Sequence, residues 1–164
     1  MKKYTLLIIG VLLALFFFSS MSYEQQTIVP MLKERLKNQP FYDLLSKIEL
    51  TYWGRTISVE TRGYYYFVEF LIRKGIHIIS FGCISIIFYI FYRKFKLKFA
   101  LLYAVVTTFV IAALDEFRQS FVPGRTGVFD DVLLDTSGAI LFVFLFKITL
   151  SLVRKIRRAK SVKV

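Results

Sequence analysis

Residues 115–138 read DEFRQSFVPGRTGVFDDVLLDTSG. They connect and overlap two long apolar runs, Phe99–Leu114 and Val132–Val153, and they carry five of the chain's eleven carboxylates, two arginines, a glutamine and a Pro-Gly turn. An ionised group moved toward the centre of a bilayer costs on the order of 3 kcal/mol. Charges that persist beside and inside such runs must therefore face one another, and they mark a candidate functional site.

Two further apolar runs lie upstream, Tyr4–Ser22 and Gly75–Tyr92. Each of the four is close to the ~20 residues that span a bilayer. The third reaches that length only if it takes in the polar turn after Leu114. The composition agrees: 56% of the 164 residues are hydrophobic, with 18 Phe and 10 Tyr, too apolar and aromatic for an ordinary soluble domain. One all-α integral membrane domain over 1–164 is expected, with spans at about 4–22, 67–92, 99–118 and 131–153.

The net charge of +12 raises the question of nucleic acid, and its distribution argues against it. Lys2, Lys3, the 93–98 linker and the 154–164 tail hold twelve Lys/Arg and no acid, whereas all eleven acids fall in the other connecting regions and adjoining span ends. By the positive-inside rule both termini and the middle linker are cytoplasmic. The expected location is a bacterial plasma membrane, crossed several times, with membrane lipids as partners and no nucleic acid. The first run has the basic start and apolar core of a secretory signal, but Phe16-Phe17-Phe18 fits a small-residue cleavage site poorly, so an uncleaved anchor is expected. Lys147 near the inner end can snorkel to the headgroups.

Residues 23–66 form the expected extracytoplasmic cap. Gln25–Asn38 reads as an amphipathic helix with Ile28, Met31, Leu32 and Leu36 on its apolar face. Ile48–Tyr52 and Thr56–Glu60 alternate around Trp53-Gly54-Arg55 as a β-hairpin. Trp53, Tyr52 and Tyr64–Tyr66 suit an interfacial position. Gly63 breaks the pattern, and a long helix starts at Tyr64.

This topology brings three helix ends to one face. The second span opens with Arg73-Lys74-x-x-His77, the third closes with Asp115-Glu116-x-x-Gln119, and the fourth opens with Asp130-Asp131-x-x-x-Asp135-x-x-Gly138. Residues four apart share a helix face, so Arg73 stacks with His77, Asp115 with Gln119 and Asp131 with Asp135. Pairing among Arg73, Arg125, Asp131 and Asp135 is the expected charge compensation. Asp130 or Asp131 is placed to cap the last helix. Gly124 reads as a turn requirement, Gly138 as a site of close helix approach, and Cys83 as packing.

The segment Asp115-Glu116-x-x-Gln119-x-Phe121-x-Pro123-Gly124-Arg125, with Asp131-Val132-x-x-Asp135-x-x-Gly138-Ala139 and Arg73-Lys74-x-x-His77, resembles the hallmark of the VanZ-like membrane protein family. The family often has Asn at the position of Asp135 and an aromatic where Ile78 follows His77. The resemblance implies a four-helix protein of the bacterial plasma membrane. It also implies teicoplanin-type antibiotic resistance as the phenotype, because the founding member lowers sensitivity to that lipid-tailed glycopeptide. It attaches no agreed reaction.

The site expected on these grounds comprises Arg73, Lys74, His77, Asp115, Glu116, Gln119, Arg125, Asp131 and Asp135. Three readings stand. The charges can clamp three helix ends. They can bind a lipid-linked cell-wall precursor or a lipoglycopeptide, with the cations on phosphate or carboxylate. They can catalyse hydrolysis or transfer on envelope lipids through a carboxylate pair or Glu116 with His77. Hydrolase and phosphate-loop motifs are absent, the single His excludes a His-rich metal cage, and no metal or other cofactor is expected. A carboxylate-held Mg²⁺ or Ca²⁺ is the one conceivable exception.

Overall fold

The computed structural model describes residues 2–161. Four helices are long and apolar enough to cross a membrane: α1 (Lys2–Ser19), α6 (Tyr64–Lys94), α7 (Ala100–Gln119) and α8 (Phe129–Ser161). Between α1 and α6 sits a cap of four short helices, α2 (Tyr23–Gln26), α3 (Val29–Arg35), α4 (Tyr42–Leu45) and α5 (Val59–Arg62), and one hairpin, β1 (Leu50–Tyr52) with β2 (Arg55–Ile57). The all-α membrane architecture and the hairpin agree with the sequence reading.

The bundle is held by a stripe of small side chains. On α7, Ala100, Ala104, Thr108 and Ala112 recur every four residues and are all buried. Without a hydrophobic drive between helices in lipid, small residues matter because they let backbones come close. In the same core cluster pack Phe81, Ile84 and Phe88 of α6 and Val132 and Val143 of α8. α6 and α8 meet at Gly138, where a Cβ would lie 2.6 Å from the carbonyl oxygen of Ile78. α1 packs more lightly, through Ile8, Val11 and Leu15, and leaves Leu6, Leu13 and Phe16–Phe18 exposed.

These stripes also aim the polar groups. Continued by one turn, the α7 face delivers Asp115, Glu116 and Gln119 to the interior. The α6 face runs back from Phe81 to His77 and Arg73, and the α8 face from Ala139 to Asp135 and Asp131. α7 reaches Gln119, so the polar turn after Leu114 continues the same helix. α6 has 31 residues, about 46 Å at 1.5 Å per residue, more than the ~30 Å hydrocarbon core. Its first turns project into the cap, where Tyr64 and Phe67 pack with Ile57 and Val59.

Several local expectations are corrected. The single helix over 25–38 is two helices. Ser22 and Gln25 form a capping box that starts α2, and Pro30 occupies the first turn of α3. Proline has no N–H and its ring clashes with the carbonyl four residues back, so one helix cannot run through it. Val29 and Leu32 form the buried face of α3, while Met31 is exposed. The hairpin is shorter than read, because Ser58 and Thr61 form a second capping box that turns the chain into α5. Its two-residue turn is Trp53-Gly54, both with positive φ (56° and 65°), the primed turn that matches strand twist. Gly63, at φ 80°, divides α5 from α6. Asp130 and Asp131 lie inside the first turn of α8 and not at its cap. Cys83 is exposed on the outside of α6, not packed.

Candidate functional site

At the cap end of the bundle the polar groups form two adjoining networks. The first fastens the cap to α6 and α7. Glu69, buried on α6, accepts from the Tyr23 hydroxyl (2.7 Å), the Ile28 backbone N–H (2.9 Å) and Arg73 Nη2 (3.1 Å). Arg73 Nη1 donates to Gln26 Oε1 at 3.3 Å. That same oxygen accepts from Arg125 Nη2, and Arg125 Nη1 donates to Gln119 Oε1 at 2.8 Å. Gln119 Nε2 donates to Asp115 Oδ2 (2.7 Å), and Asp115 Oδ1 pairs with Arg118 (3.2 Å).

The second network is centred on the start of α8. Asp131 Oδ1 accepts from both the Tyr52 hydroxyl and Lys74 Nζ. Asp130 accepts from the backbone N–H of Trp53 at 2.7 Å, so the hairpin tip is docked on the helix N-terminus by two carboxylates. Below them, His77 Nδ1 lies 3.3 Å from Asp135 Oδ1 and 3.4 Å from Oδ2. Glu116 Oε2 accepts from the Val128 N–H at 3.1 Å. His77, Glu116 and Asp135 each offer a ligand atom within 4.8 Å of the others, the arrangement among the described residues that could hold a metal ion.

Burial sets the electrostatics of the groups in the loops. Tyr52 is driven to a higher pKa first by desolvation and then by its bond to Asp131. Its hydroxyl therefore stays a donor. Arg125 is shifted down, first by desolvation and then by the positive charge of Arg73, with Asp115 and Glu116 opposing. Arginine nevertheless remains charged. Its direct partners are two neutral amide oxygens, and among the described residues no carboxylate lies within ion-pair distance of it.

Two clefts open on these networks. One, of about 430 Å³, is lined mainly by apolar groups of α1, the cap and α6, including Leu15, Phe18, Ile28, Ile72 and Ile76. The other, of about 190 Å³, is polar and is lined by Tyr23, Tyr52, Arg73, Lys74, Arg125 and Asp131 among others. Arg73, His77 and Gln119 line both, so they form the wall the two clefts share.

All nine residues expected from sequence gather at this end of the bundle, but their pairing differs from the expectation. Arg73 pairs with Glu69, Lys74 with Asp131, and His77 with Asp135, while Arg125 pairs with no acid. Sequence reasoning missed Glu69, Tyr23, Gln26 and Arg118. Glu69 was detectable four residues before Arg73, and Arg118 three after Asp115, the spacings at which helical charges meet. Tyr23 and Gln26 sit more than 40 residues from their partners, and no periodicity reports such a contact. Gly124, at φ 74°, carries the turn before Arg125, as read from sequence. Gly127 was overlooked. A Cβ there would overlap the carbonyl oxygen of Glu116, so this glycine lets the loop close onto α7.

A family model described as VanZ/LLP1 matches residues 4–151. No curated protein and no protein of solved structure matches the chain.

Proposed function

Because the chain belongs to the VanZ/LLP1 family, we propose that it binds an anionic, lipid-tailed molecule at the outer face of the bacterial plasma membrane, a lipid-linked wall precursor or a lipoglycopeptide of the teicoplanin kind. Arg125 carries this reading. A half-buried guanidinium held by two neutral amides lacks the charge partner that the other cations of the site have. An incoming phosphate or carboxylate would meet its bidentate fork, and hydrogen bonds to charged groups contribute roughly 1.5–3 kcal/mol each. A clamp alone leaves that guanidinium unexplained.

The two clefts suit the two halves of such a ligand. The polar one offers Arg73, Lys74 and Arg125 to an anionic head, and the apolar one offers Ile and Phe walls to an acyl chain. A volume of about 430 Å³ lies within the usual ~300–1,000 Å³ of small-molecule sites. The orientation follows from the basic linker and tail at the opposite end of the bundle, which the positive-inside rule assigns to the cytoplasm.

The test is a deletion strain complemented with wild type or Arg125→Ala and challenged with teicoplanin. The variant should lose protection at unchanged protein level and helix content. Equal protection by both proteins would defeat the proposal at its centre.

A further inference from the structure

We infer that His77, Glu116 and Asp135 form a binding site for one first-row divalent metal ion of the zinc–manganese class. Each of the three bundle helices at this end contributes one ligand: His77 from α6, Glu116 from α7 and Asp135 from α8. Their ligand atoms already lie within 4.8 Å of one another. Bonds of about 2.0–2.2 Å to nitrogen and oxygen put tetrahedral ligand atoms about 3.4 Å apart. Closing the cluster thus shortens these separations by at most about 1.4 Å, a distance within the reach of side-chain rotation.

The second observation is what these carboxylates lack. Glu116 and Asp135 are 4% and 0% exposed; Glu116 Oε1 is a buried oxygen with no hydrogen-bond partner, and Asp135 Oδ1, also buried and without a hydrogen bond, has only the ion-pair contact with His77. Asp135 Oδ1 points toward the imidazole, 3.3 Å from Nδ1. Leaving a buried charged acceptor unsatisfied is costly, and buried polar atoms of this kind call for an occupant.

Charge accounting leads to the same place. Among the described residues, the other buried acids of the site each have a cation: Glu69 has Arg73, Asp131 has Lys74 and Asp115 has Arg118. Glu116 and Asp135 share only His77. A neutral imidazole with two carboxylates is balanced by one divalent ion. The donor set selects the ion class. Mg²⁺ and Ca²⁺ prefer all-oxygen shells, whereas a mixed imidazole–carboxylate set suits Zn²⁺, Mn²⁺ or Fe²⁺. The neighbouring Lys74 is engaged by Asp131, so it does not fill the site. His77 also lines both clefts, which places the ion at their common wall. The inference holds whether or not the clefts take an amphiphile.

The test uses full-length, tag-free protein in lipid nanodiscs, stripped with chelator and titrated with ZnCl₂ and with MnCl₂ by calorimetry. Elemental analysis after washing should find one ion per chain. His77→Gln, Glu116→Gln and Asp135→Asn should each weaken binding more than about 100-fold, beyond the 10–100-fold typical of outer-shell losses. Glu60→Gln, an exposed acid of α5 outside the site, should bind as wild type. X-ray absorption of the zinc-loaded wild type should show a nitrogen/oxygen shell containing one imidazole, a readout that needs no variant to fold. No stoichiometric ion in wild type, undiminished binding by Asp135→Asn, or a shell without imidazole would each overturn the assignment.

Discussion

Tyr23 donates its hydroxyl to Glu69 at 2.7 Å, across 46 residues of sequence. The same carboxylate takes the Ile28 N–H and Arg73. One buried acid on the projecting start of α6 thus fastens the cap to the bundle and orients a cation of the site.

Glu69→Ala should therefore loosen the cap and misplace Arg73. Removing one partner of a buried pair costs about 3–5 kcal/mol. Limited proteolysis should cut residues 23–63 much faster in the variant than in wild type. An unchanged digestion pattern would mean that Glu69 does not hold the cap.

Gly138 controls the distance between α6 and α8. Gly138→Val should push the helices apart, because its Cβ would start 2.6 Å from the Ile78 carbonyl. Overpacking of this kind costs roughly 1–3 kcal/mol and should lower the thermal midpoint in detergent. Gly75→Ala, where a Cβ meets nothing within 4 Å, should leave it unchanged or higher. Equal midpoints for wild type and Gly138→Val would show that the helices have slack there.

The Tyr52 bond to Asp131 predicts an alkaline weakness. The folded pKa of Tyr52 lies above its ordinary value of 10.0. Below that ordinary value the phenol is neutral in both folded and unfolded chains. Above it the unfolded chain loses this proton while the folded chain keeps it, so stability falls as pH rises. Tyr52→Phe should be less stable near neutral pH by roughly 1.5–3 kcal/mol, the worth of a hydrogen bond to a charged group. It should also lose less on moving from pH 9 to 11. Parallel pH profiles for the two proteins would rule out a half-buried, hydrogen-bonded phenol.

Orientation can be read by labelling. In a Cys83→Ala background, Trp53→Cys at the hairpin tip should react with an impermeant maleimide in intact cells. Leu97→Cys in the basic linker should react only after permeabilisation. The reverse pattern would invert the proposed topology and move the site to the cytoplasmic side.

The fold was largely legible because its signals are local. The apolar runs, the Gly63 break and the Pro-Gly turn each act over a few residues and reappear as helix limits. The stripe of Ala100, Ala104, Thr108 and Ala112, buried in the structure, shows which face of α7 turns inward and carries Asp115, Glu116 and Gln119 with it. The cap was read less well. Pro30 and the Ser22 and Ser58 capping boxes were visible signals, and they outweighed the longer periodicities that suggested one helix and longer strands.

By itself the sequence determined four apolar helices, their charge asymmetry and the gathering of Arg73, His77, Glu116, Arg125, Asp131 and Asp135 at one end, because span length, the placement of Lys and Arg between spans and the helical period are all local to the chain. Tertiary structure alone decided the partners. Lys74, not Arg73, meets Asp131; Glu69 takes Arg73; Arg125 is left with two amides. Those choices depend on how α6, α7 and α8 rotate against one another and on where a cap dozens of residues away sets down Tyr23, Gln26 and Tyr52. A shift of one residue around a helix changes the direction of a side chain by about 100°, and only packing selects among such directions.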